Sequence, residues 1–125
     1  MLDINISPPK YGWTTICFNN HRKKIYAYAS YVYDPFYESY NLLKAIKNRN
    51  HYKWKIDQEG SILLIIFSKF NIKGTRIRFI LDNIKIAEFN VNSKLLYKLL
   101  SNELKKFKEV NKLKKEDFYI NFRGN

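Results

Sequence analysis

From Tyr52 to Val91 the chain alternates in a way that only strands satisfy. Tyr52, Trp54 and Ile56 alternate with Lys53, Lys55 and Asp57, and Ile77, Phe79 and Leu81 alternate with Arg76, Arg78 and Ile80. A period of two sends successive side chains to opposite faces, so each run predicts a strand with one face buried. Between them, Ser61 to Phe67 is apolar on both parities, which predicts a central strand covered on each side. Gln58-Glu59-Gly60, Lys73-Gly74 and Asp82-Asn83 supply turn chemistry at the joins, and Ile84 to Val91 completes an antiparallel meander.

The flanking segments add two helices and a hairpin. Trp13 to Phe18 and Ile25 to Tyr33 are β-rich, with Asn19-Asn20-His21-Arg22 as the turn between them. Asp34-Pro35 has the form of an N-cap followed by Pro at the first helical position, predicting a helix from Pro35 to about Lys47. Asn92 or Ser93 caps a second helix of about Lys94 to Leu113. Leu96, Leu99, Leu100, Phe107 and Val110 share its apolar face, and Glu103 interrupts that face. The segment Phe118 to Phe122 reads as a short strand or a docked extended tail. The order is ββαββββα. A chain of 125 residues is the ordinary size for one domain. The expectation is therefore one α+β domain over 1–125. It has a single antiparallel sheet of five or six strands with two packed helices, and 117–125 as a docked or flexible tail.

Charge narrows the partner. Twenty-three Lys and Arg stand against eleven Asp and Glu, a formal charge of +12, beside 17% aromatic residues. Such an imbalance speeds encounter with anything acidic, so it points to a polyanion or an acidic protein surface. Lys, Asn, Ile, Tyr and Phe are plentiful while Ala and Gly are scarce, the mixture an AT-rich genome encourages. Part of the Lys excess is then compositional, but the shortage of acids is not. The lone Cys17 offers no internal disulfide. The start MLDINISPPKYGW lacks the pattern of a signal peptide, and the longest apolar run is too short for a bilayer. The expectation is a soluble, cytoplasmic protein without membrane insertion.

Residues from which active sites are built are sparse, and no catalytic, cofactor-binding or metal-ligating set emerges. His21 and His51 have no carboxylate or thiolate near them in sequence, and Cys17 reads as a small core side chain. Asp34 reads as a cap, Glu38 as a first-turn acid, and Asp57 and Glu59 as turn residues. Phosphate-loop, dinucleotide and nucleophile-elbow patterns do not occur.

The strongest constellation is basic and aromatic: Lys44, Lys47, Arg49, His51, Lys53, Trp54 and Lys55, joined by Arg76 and Arg78. Cationic grooves with aromatic platforms hold single-stranded nucleic acid. However, Trp54 and Tyr52 have the opposite parity to Lys53 and Lys55, which turns the rings to the core and the ammonium groups to water. A solvated sheet face, a protein-binding face and a nucleic-acid face all fit this stretch. Tyr26, Tyr28, Tyr31, Tyr33, Tyr37 and Tyr40 form a second concentration, suited either to a protein interface or to the amphipathic edge of a core.

Tyr11-Gly12-Trp13, Ala29-Ser30-Tyr31, Asp34-Pro35-Phe36, Leu42-Leu43-Lys44-Ala45-Ile46, Trp54 and Asp57-Gln58-Glu59-Gly60 follow one another in a recognisable layout. Over roughly residues 4–107 it resembles small bacterial immunity proteins of polymorphic or contact-dependent growth inhibition toxin systems. The resemblance implies no catalytic residue and a neutralising one-to-one complex with a toxin domain. Immunity proteins against nuclease toxins are commonly acidic, so the basic charge here suits a toxin with an acidic surface, or an interface that does not cover the toxin's nucleic-acid groove. The residues expected at such an interface are Lys53, Lys55, Arg76 and Arg78 with Tyr26, Tyr28, Tyr37 and Tyr40. The alternative, from charge alone, is a basic nucleic-acid-binding accessory protein without catalysis, binding nonspecifically.

Overall fold

A computed structural model describes the backbone of residues 1–30 and 36–122, and side-chain surroundings as far as Val110. Within these residues, seven strands and two helices follow in the order β1 (Leu2–Ile6), β2 (Trp13–Asn20), β3 (Lys23–Ser30), α1 (Ser39–Asn48), β4 (Tyr52–Asp57), β5 (Ile62–Phe70), β6 (Gly74–Leu81), β7 (Ile84–Asn92) and α2 (Ser93–Phe122).

The α+β class and the four-strand meander are as expected, but the strands form two antiparallel sheets and not one. β1-β2-β3 make the first sheet and β4-β5-β6-β7 the second. Seven strands replace the expected five or six because Leu2, Ile4 and Ile6 alternate with Asp3 and Asn5. This opening segment thereby pairs as an edge strand, with Ile4 opposite Phe18 and Ile6 opposite Ile16. The sheet divides between β3 and β4, the strands on either side of α1, which do not pair. In place of a ladder, the Tyr28 backbone N–H donates to Gln58 Oε1 at 2.8 Å.

Turn chemistry explains the connections. Asp82 and Asn83 both have positive φ (45° and 69°), the requirement of a tight primed hairpin, and Asp82 Oδ1 also accepts the Ile62 N–H at 2.8 Å. At the β5–β6 join a Cβ on Gly74 would lie 2.6 Å from the Phe70 carbonyl oxygen, so the chain folds back only where no side chain is present.

The helices depart from the expected bounds. α1 begins at Ser39, and Glu38 at its N-cap position makes no side-chain cap bond; the expected cap at Asp34-Pro35, with Tyr31 and Tyr33, lies outside the described residues. It ends where Arg49 takes left-handed backbone angles, with Arg49 N–H and Asn50 N–H closing on the Ile46 and Ala45 carbonyls. α2 is capped by Asn92, whose Oδ1 accepts the Leu95 N–H at 3.0 Å. It continues to Phe122, so the expected strand or extended tail at 118–122 is helical instead. The stretch from Asn111 onward is rich in Lys and other residues of ordinary helix propensity, and it contains neither Gly nor Pro to stop the turn before Gly124.

One core holds these parts together. The inner faces of the two sheets meet where Phe18 of β2 packs edge-on against Phe79 of β6, with centroids 5.2 Å apart, and Phe79 continues to Phe89 at 5.1 Å. Leu42 and Ile46 of α1 and Leu96, Leu100, Leu104 and Phe107 of α2 bury against the same core. Phe36 joins them by ring contacts to Phe107 at 4.5 Å and Trp54 at 6.2 Å. Glu103, the polar residue on the apolar face of α2, has a partner that sequence periodicity does not reveal. Its Oε1 accepts the Ile6 N–H of edge strand β1 at 3.0 Å, and its Oε2 meets Lys106 Nζ at 2.9 Å.

Candidate partner-binding site

Both helices contribute to the inner side, and on the outer faces Tyr26, Tyr28, Lys53 and Lys55 are exposed. On the second sheet the register aligns Lys53, Ile66, Arg78 and Glu88 in one row across β4 to β7. A second row runs Lys55, Leu64, Ile80 and Lys85. Lys53, Lys55, Arg76 and Arg78 therefore do share one face. They are not on neighbouring strands, because β5 separates them by two strand spacings, or about 10 Å. The middle of the face is Ile66, only 7% exposed. Its flanking residues in register are Lys53, which is exposed, and Arg78, which is half-buried with its Nε out of solvent and without a hydrogen-bond partner among the described residues. β5 is thus interior to its sheet, as the two-sided apolar pattern predicts.

The four cations differ in how free they are. Arg76 lies over the Phe70 ring at 4.9 Å, and its Nε reaches Asn90 Oδ1 at 3.3 Å and Glu88 Oε2 at 3.7 Å. Glu88 also accepts from Lys85 Nζ at 2.8 Å. That hydrogen bond, with the charges of Lys85, Arg76 and Arg78, holds the Glu88 carboxyl below the usual carboxylate range. Lys53 and Lys55 are exposed and have no ion-pair partner among the described residues. They are the groups best placed to meet an external acid.

The tyrosines divide in the same way. Tyr26 and Tyr28 project from the outer face of β3, about half exposed, with rings stacked at 6.4 Å and an interplanar angle of 15°. Their cross-strand neighbours are Cys17 and Thr15, so Cys17 lies on the outer face and not in the core as expected. Tyr37 and Tyr40 are more exposed still, but they belong to the turn before α1 and to its first helical turn. They are not part of the sheet face. Trp13, at the start of β2, adds a partly exposed ring outside the expected set, although its parity matches Thr15 and Cys17.

The remaining members of the basic stretch serve other ends. Trp54 is buried in the core, as its parity predicts. Tyr52 packs against the core and its hydroxyl donates to Glu38; burial first, and then the bond to and charge of Glu38, push its phenol well above the usual tyrosine range. Arg49 is a clamp. Its guanidinium donates to the carbonyls of Asn71 and Ile72, and to that of Gly74 at 3.1 Å, fastening the end of α1 to the β5–β6 turn. His21 sits in the β2–β3 turn near the N-terminal amine, with Met1 N 3.4 Å from its Nδ1. No group of three His, Cys, Asp or Glu among the described residues is placed to hold a metal ion.

No protein-family model matches the chain, and no curated protein or solved structure matches it significantly. None of the helices among the described residues is long and apolar enough to cross a membrane.

Proposed function

We propose that the chain is a binding protein without catalysis, of the immunity type, which neutralises a bacterial toxin domain in a one-to-one complex. The observation that carries this reading is the open outer face at the junction of the two sheets. There the stacked pair Tyr26 and Tyr28 lies on β3, and the exposed Lys53 and Lys55 lie on β4, whose following residue Gln58 is bonded to Tyr28. Rigid aromatic groups supply holding energy at low entropic cost, and charges around them steer encounter and set orientation. The excess of twelve positive charges calls for an acidic toxin surface. The resemblance in layout to toxin-immunity proteins supplies the class of partner.

A toxin domain encoded immediately upstream is the partner to test, by co-expression and by association kinetics. Charge reversal in K53E/K55E should slow association by roughly tenfold at low salt, and the effect should fade as salt rises. Both positions are exposed, so the melting curve should shift by less than about 0.5 kcal/mol in stability. An unchanged low-salt association rate would remove Lys53 and Lys55 from the interface. The same stacked tyrosines beside cations would also suit single-stranded nucleic acid. In that case affinity for mixed oligonucleotides would fall about a thousandfold between about 50 and 200 mM salt for six neutralised phosphates. A tight complex with one oligonucleotide that resists salt would displace the immunity reading.

A further inference from the structure

A groove lies between the end of α1, the β5–β6 turn and the start of α2, on residues that the proposed interface does not use. Its volume is about 630 Å³, inside the range of cavities that take small organic ligands. Ile46, Ile72 and Tyr97 give it apolar walls. Lys47, Arg49, Lys73 and Lys94 ring it with positive charge, and no carboxylate among the described residues lines it.

The walls are held before any ligand arrives. Arg49 fixes the β5–β6 turn through the carbonyls of Asn71, Ile72 and Gly74, which sets the positions of Ile72 and Lys73. Ser93 N–H donates to the Lys73 carbonyl at 2.9 Å, and the Thr75 and Ser93 hydroxyls meet at 2.7 Å, so the first turn of α2 is tied to the same loop. Arg49 is committed to this framework. Lys47, Lys73 and Lys94 are exposed, and none has an ion-pair partner among the described residues.

Each half of this lining excludes a class of ligand. A neutral apolar molecule would leave the three ammonium groups that line the groove without a counter-charge. A bare inorganic anion would leave Ile72 and Tyr97 uncovered. We infer that the groove binds a small organic anion, with an apolar body against Ile72 and Tyr97 and a carboxylate, sulfonate or phosphate ester among Lys47, Lys73 and Lys94. This site is independent of the toxin-binding face and stands or falls separately from it.

The test uses 1-anilinonaphthalene-8-sulfonate, whose fluorescence rises in an apolar site. N-phenyl-1-naphthylamine serves as its uncharged counterpart and inorganic phosphate as a competitor. Wild-type protein should bind the sulfonate saturably and hold the neutral analogue at least about tenfold more weakly, and phosphate below about 10 mM should displace little. K47E/K73E/K94E should weaken sulfonate binding by at least about tenfold. K24E/K53E/K55E, with the same change in charge on the outer faces, should change it by less than about twofold. Ile72→Glu, at a side chain that is already 83% exposed, should also lose binding and provides a second variant if the triple variant melts early. Equal weakening by both triple variants would mean that general surface charge gathers the probe. Either that result, a neutral analogue held as tightly, or no saturable binding by the wild type overturns the proposal.

Discussion

Replacing Glu103 by Ala tests how the N-terminal strand is held to the rest of the molecule. β1 lies at the margin of its sheet, and the Ile6 N–H points to α2, where Glu103 Oε1 accepts it at 3.0 Å in a buried setting. A hydrogen bond to a charged group contributes about 1.5–3 kcal/mol, and an orphaned buried N–H costs about 1–3 kcal/mol, two descriptions that largely overlap. Ala is the better helix former by a few tenths of a kcal/mol, which offsets little. Lys106 is mostly exposed, so release of its ammonium group changes stability only slightly. The expected loss for E103A is about 2 kcal/mol. E103Q keeps a carbonyl oxygen of the same reach and should lose about 1 kcal/mol. Urea unfolding followed by circular dichroism gives the free energies, and amide exchange gives the location. In E103A the Ile6 amide and its β1 neighbours should exchange faster relative to the β5 and β6 amides. A loss below about 0.5 kcal/mol, or an undiminished relative protection of Ile6, would refute the assignment of Glu103 as the cap of this strand.

Gly74→Ala should destabilise by about 1–3 kcal/mol, because its Cβ would press on the Phe70 carbonyl oxygen at 2.6 Å and the turn is already fixed by Arg49; a thermal melt unchanged within error would show that the turn relaxes freely. Tyr52 has its phenol pushed up in the folded state, so its contribution to stability is full below the ordinary tyrosine pKa near pH 10, declines as pH rises from there, and is lost once pH passes through the raised folded-state value. In an ultraviolet titration, the difference between wild type and Tyr52→Phe should show a phenol that stays protonated past about pH 10 while the fold persists. Ionisation of that group at or below about pH 10 would contradict the burial of this phenol and its contact with Glu38.

Much of the fold is legible because period-two alternation depends only on local geometry. Tyr52–Asp57, the two-sided run at Ile62 and the Asp82-Asn83 hairpin are each decided within a few residues. β1 carries the same signal in Leu2, Ile4 and Ile6, but its partner strand lies ten or more positions away, with Ile6 opposite Ile16 and Leu2 opposite Asn20. The division into two sheets depends on whether β3 and β4 exchange backbone hydrogen bonds, which no local pattern determines. The roles of Glu103 and Arg49 also lie beyond sequence reading. One meets a strand 97 positions away, and the other meets a turn 22 to 25 positions away. Parity alone places Lys53, Lys55, Arg76 and Arg78 on one face, but their spacing requires the strand order. The stacked Tyr26 and Tyr28 are legible as a same-face pair, while Tyr37 and Tyr40 look equivalent to them only in sequence proximity.

The side-chain bridge from Gln58 to the Tyr28 N–H gives the molecule a seam. Backbone ladders run within each sheet, and across the junction this bond contributes only on the order of 1 kcal/mol beyond the shared core. If such a boundary separates cooperative units, amide exchange should give the three-stranded sheet a lower opening free energy than β5 and β6. Opening it would part Phe18 from Phe79 and wet the aromatic chain at the centre. A partner seated across Tyr28 and Lys55 would close this seam from outside. Part of its binding free energy would then be spent on quieting the junction, and the complex would show slower amide exchange in β2 and β3, including at residues the partner never touches.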